Sequence, residues 1–75
     1  MSFKKGDRLR ILTWNELDHD AIPHWNKSFF DKYGGTVCVF LSQESRISYR
    51  ARLHTGETAR VATQSVTKAG INFNY

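Results

Sequence analysis

The stretch from residue 47 to residue 62 leaves this chain little choice of fold. Ile47, Tyr49, Ala51 and Leu53 alternate with Ser48, Arg50 and Arg52, the period-two signature of a strand with one buried face. Thr58, Arg60 and Ala62 then alternate with Ala59 and Val61, and His54-Thr55-Gly56-Glu57 between the two runs supplies a hairpin turn. Both strands must bury their apolar positions on the same side, so only registers that keep those positions in phase are allowed. The registers compatible with a turn over residues 54–57 place Arg60 across the ladder from Arg50 or Arg52. Like charges in that position are unfavourable by roughly 0.2–1 kcal/mol. A nearby carboxylate, solvent or an anionic partner must relieve them.

The hairpin needs partners, and the chain has only 75 residues to provide them, enough for one domain with one core. Arg8-Leu9-Arg10-Ile11-Leu12, after the turn at Gly6-Asp7, alternates as a half-buried strand. Thr36-Val37-Cys38-Val39-Phe40-Leu41 reads as a buried strand, and a short closing strand is expected near residues 65–68. Ile22, Trp25, Phe29, Phe30 and Tyr33 share one face of a period-3.6 helix over residues 22–33. Asp20 is its expected cap, Pro23 fits its first turn, and Gly34 is expected to end it in the left-handed conformation. Ile71, Phe73 and Tyr75 beyond Gly70 suit an edge strand or a loose tail. The expected core is Leu9, Ile11, Val37, Val39, Tyr49, Ala51, Leu53, Ala59 and Val61, with Trp25, Phe29 and Tyr33 packing the helix across it.

Composition narrows the function classes. Forty per cent hydrophobic and 24% charged residues suit a globular chain. The net charge of +4 favours acidic partners, nucleic acid or an acidic protein surface. That charge is uneven: residues 1–10 and 34–75 are basic, whereas residues 11–33 carry Glu16, Asp18, Asp20 and Asp31 against Lys27 and Lys32. One cysteine, Cys38, excludes an internal disulfide and a multi-cysteine zinc site, and a reducing, cytoplasmic location is expected. MSFKKGDR lacks the apolar stretch of a signal peptide, and no apolar run is long enough to span a membrane. His19 and His24 with Asp18 and Asp20 lack the spacing of a metal site. Cys38 sits in the most apolar strand and reads as a small packing residue, because apolar surroundings leave a thiol inert. No catalysis, metal, cofactor or small-molecule substrate is expected.

Three segments carry a resemblance. Lys5-Gly6-Asp7-Arg8-Leu9-Arg10-Ile11, Tyr33-Gly34-Gly35-Thr36-Val37, and Tyr49-Arg50-Ala51-Arg52-Leu53 followed by Thr55-Gly56 and residues 58–61 resemble the SH3-like barrels. That group includes KOW and Tudor-type modules and the small photosystem I subunit that helps dock ferredoxin. The resemblance spans about residues 5–68 and implies a mainly β fold: a five-stranded antiparallel barrel with one short helix inserted after the first strand, residues 69–75 being a tail or edge strand. Its motifs identify a fold better than an activity. The leading expectation is a noncatalytic module that contacts nucleic acid, or a machine bound to it, through Arg8, Arg10, Arg50, Arg52 and Arg60. The alternative is a small adaptor or inhibitor that meets an acidic protein through its aromatic insertion and arginine face, as likeness to the ferredoxin-docking subunit implies. Trp14, just after the first strand and outside the helical pattern, is the expected exposed aromatic contact.

Overall fold

The computed structural model describes residues 3–20 and 25–69. Five strands, β1 (Arg8–Ile11), β2 (Val37–Ser45), β3 (Ser48–Arg52), β4 (Thr58–Ala62) and β5 (Val66–Lys68), form one antiparallel sheet in the order β4-β3-β2-β1-β5. A helix, α1 (Lys27–Tyr33), lies between β1 and β2, and single 3₁₀ turns at Trp14–Glu16 and Thr63–Ser65 follow β1 and β4. The sheet is open: its ladders stop at β4 on one side and β5 on the other.

The nine-residue β2 joins the two halves of the sheet. Its first residues pair with β1 (Arg8 opposite Val39, Arg10 opposite Val37), and from Val39 to Ser45 it pairs with β3. The register shifts between Phe40 and Ser42 and again between Gln43 and Ser45. Such bulges bend a strand and sharpen its twist. The hairpin has the register that opposes Arg50 to Arg60 and Ala51 to Ala59. Its turn is closed by Leu53 N–H donating to Glu57 O at 2.7 Å and Gly56 N–H to Leu53 O at 2.9 Å.

Leu9, Ile11, Tyr49, Ala51, Leu53 and Val61 are buried as expected, and Ala59 packs against them half-buried. In β2 the phase is the opposite of the expected one. Cys38 and Phe40 face inward, whereas Val37 is 43% exposed and Val39 half-buried. An uninterrupted apolar run contains no alternation to read; the ladder sets the phase by placing Cys38 opposite Leu9 and Phe40 opposite Ala51. Ile47, expected inward, is 73% exposed because it belongs to the two-residue turn before β3 rather than to the ladder.

The helix is shorter than its aromatic spacing implies. It starts at Lys27, and its cap is Asn26, whose Oδ1 accepts from Phe29 N–H, not Asp20. Trp25 reaches the same aromatic cluster from outside the helix, which is why its spacing mimicked a helical position. Of the aromatic face, Phe30 and Tyr33 are buried and Phe29 half-buried. The expectations for Ile22 and Pro23, and for Ile71, Phe73 and Tyr75, lie outside the described residues. Gly34 ends the helix at φ −56°, and the positive φ of +84° falls on Gly35 instead. Glycine is required at 34 for room: a Cβ there would stand 2.6 Å from Phe30 O and 3.2 Å from Thr13 Cα. This close approach lets Gly35 N–H bond Ile11 O at 2.6 Å and seats the helix end on β1.

Candidate functional site: arginine face and aromatic cleft

Arg8, Arg10, Arg50, Arg52 and Arg60 all project from the face of the sheet opposite the core, since each neighbours inward residues along its strand. The ladders set them in three rows. One runs Arg60, Arg50, Ser42; the next Thr58, Arg52, Val39, Arg8; the third Val37, Arg10, Thr67. Residues far apart in sequence are thus brought onto one surface, with Val39 between Arg52 and Arg8.

Their electrostatic states differ. Arg10 forks onto Glu16, with Nη1 to Oε1 at 2.9 Å and Nη2 to Oε2 at 3.0 Å. The same Oε1 accepts Thr13 N–H at 2.9 Å and Thr13 Oγ1–H at 3.2 Å. Chiefly through the Arg10 hydrogen bonds, then the Thr13 amide, the Glu16 carboxyl is held down to about 2. Arg10 therefore ties the 3₁₀ turn at Trp14–Glu16 to β1. Arg50 Nε donates to Glu44 Oε2 at 2.7 Å. That contact, with the fields of Arg50 and Arg60, lowers the Glu44 carboxyl, so one carboxylate eases the Arg50–Arg60 opposition. Arg52 Nη1 donates to the Gly56 carbonyl at 3.3 Å. Among the described residues, Arg8, Arg52 and Arg60 are exposed and form no salt bridge.

Trp14 is half-buried rather than displayed. Its ring meets His19 at 4.6 Å and Phe30 at 6.4 Å, and Lys27 Nζ stands 5.4 Å over it. His19 Nε2 lies 2.9 Å from Trp14 O; a carbonyl only accepts, so this nitrogen donates. The open aromatic surface is formed instead by Trp25 and Phe29. They line a cleft of 190 Å³ with Asn26 and Phe30 on the helix side, facing Arg60, Val61, Ala62 and Ser65. Sequence reading assigned Trp25 and Phe29 to packing and did not anticipate the cleft, because it forms between segments about 30 residues apart. The signal for the Glu16 tie was present: Thr13-Trp14-Asn15-Glu16 has the spacing at which a Glu reaches back to the amide preceding a helical turn.

Nucleophilic chemistry has no foothold at the one thiol. Cys38 is 1% exposed, and burial pushes its pKa up to about 11, far from the thiolate that reacts. Among the described residues, no group of three His, Cys, Asp or Glu side chains is placed to hold a metal ion, and no helix is long and apolar enough to cross a membrane.

Together these features define a small antiparallel β protein with an apolar core on one side of its sheet and arginines on the other. Compared with known protein families, curated proteins and solved structures, the chain finds no match.

Proposed function

We infer that this protein is a noncatalytic binding module whose partner is nucleic acid, free or carried by a larger machine in the cytoplasm, contacted through the outer face of the sheet. The observation that carries the reading is the arrangement of arginines. Five lie on one face, two are occupied by Glu16 and Glu44, and Arg8, Arg52 and Arg60 keep exposed guanidinium groups with no salt bridge among the described residues. Arginine's planar fork suits phosphate oxygens, and clustering on a rigid sheet removes the cost of assembling the cations at binding. An SH3-like barrel is the fold that goes with this reading. In its support, β2 serves both halves of the sheet and carries two register shifts of the kind that bend a strand, and a single 3₁₀ turn leads from β4 into β5.

The test is the salt dependence of binding to a DNA duplex and to a single strand. Log affinity should fall linearly with log salt, by about 0.9 per phosphate neutralised on a duplex and about 0.7 on a single strand. Arg52→Glu and Arg8→Glu should each weaken binding and flatten that slope. A flat salt response in the parent protein, or unchanged binding in both variants, would overturn the reading.

A further inference from the structure

The cleft between α1 and β4 adds a chemical class to the binding reading, on which this inference rests. We propose that it receives an unpaired base, so that the polyanion bound by this protein is single-stranded nucleic acid. At 190 Å³ the cleft falls below the roughly 300–1,000 Å³ of pockets that enclose a whole small molecule. It is sized for one anchoring group of a larger partner. Its walls are aromatic and fixed. The Trp25 and Phe29 rings stand at 88° and 82° to the buried Phe30 ring, and Trp25 Nε1–H donates to Asp18 O at 3.3 Å. Both rings are only half-buried, so a planar group can stack on them without reordering the core.

The polar lining complements the two other parts of a nucleotide. Asn26 uses its Oδ1 on Phe29 N–H, which leaves its amide N–H groups for the acceptor atoms at a base edge. Arg60 also lines the cleft, and its row lies beside the one that holds Arg52 and Arg8, where a phosphate backbone would lie. A duplex keeps its base faces in its own stack and cannot offer a ring here; a single strand can. An acidic peptide also matches the arginines, but it divides charge and planar rings among different residues, whereas every nucleotide carries both.

The experiment uses fluorescein-labelled oligodeoxythymidine of about 12 nucleotides, within the usual single-strand site sizes, a duplex of equal length, and polyglutamate. Anisotropy gives affinity, and indole fluorescence in a Trp14→Phe background reports on Trp25. The single strand should bind more tightly than the duplex and quench Trp25. Phe29→Leu, which keeps apolar bulk but no ring, should weaken single-strand binding by roughly 5- to 150-fold, while Phe29→Tyr retains it. Equal affinity for the duplex, an unquenched Trp25, or equal losses in Phe29→Leu and Phe29→Tyr would overturn the unpaired-base inference and leave the nucleic-acid reading standing. Binding of neither oligonucleotide, or quenching of Trp25 by polyglutamate as strong as by the strand, would overturn both.

Discussion

Arg10 shows how much a residue's role depends on its neighbours. On sequence it belongs with Arg8 as an outward cation, yet its fork onto Glu16 makes it a brace for the segment after β1. Glu16, with its folded pKa lowered from an ordinary 4.5 to about 2, links that brace to pH. A carboxyl depressed in the folded state contributes stability above its unfolded pKa and loses it as pH falls through the folded value. Melting temperature should therefore drop between about pH 4.5 and pH 2, and Glu16→Gln should make the profile shallower there; a profile identical to the parent's would show that the brace does not matter. Gly34 is constrained differently, by backbone atoms that cannot move aside. Gly34→Ala should destabilise by about 1–3 kcal/mol, the usual range for overpacking, measurable as a lower urea midpoint.

Helix α1 carries its weight on Phe30. This ring is 6% exposed and touches Trp14, Trp25 and Phe29, while Tyr33 anchors the far end by donating from its hydroxyl to Glu57 at 3.3 Å. Phe30→Ala should cost about 3–5 kcal/mol, a large share of the roughly 4–11 kcal/mol expected for a chain this long. Phe29→Ala should cost clearly less, since its ring is already half in solvent; chemical denaturation of both variants checks the order. The element scale also marks how far the sequence could be read. Strands β1, β3 and β4 were legible because polar and apolar residues alternate strictly in them, and parity narrowed the hairpin register to two, of which the fold takes the one that opposes Arg50 to Arg60. The phase of β2 was not, because Val37 to Leu41 offers no polar residue to point outward. The helix start was obscured by Trp25, which joins the cluster without being helical. The arginine face was legible residue by residue, but its division into paired and unpaired cations depends on Glu16, in the turn after β1, and Glu44, near the end of β2, whose contacts the strand alternation alone does not assign.

At the scale of the molecule, the sheet separates two tasks. Apolar side chains on one face hold the fold, and in the proposed reading the arginines on the other meet the partner, so charge changes at Arg8, Arg52 or Arg60, which form no salt bridge among the described residues, should leave stability within about 0.5 kcal/mol. Arg60→Glu tests that separation sharply. It places a carboxylate opposite Arg50, so thermal stability should be kept or raised while affinity for a polyanion falls further than in Arg60→Gln; a fall in stability with intact binding would reverse the assignment. Cys38 lends the molecule one more property. Cys38 is 1% exposed, on the interior strand β2 opposite Leu9 of β1, and its sulfur is expected to stay covered when β4 or β5 frays at the sheet's margins. Reaction with a bulky thiol reagent must await separation of the middle of the sheet, so its rate should rise with urea along the same slope as global unfolding. A shallower slope would reveal a private parting of β1 from β2. Labelling one sulfur atom thus reads the opening free energy of the entire native state, with no engineered reporter.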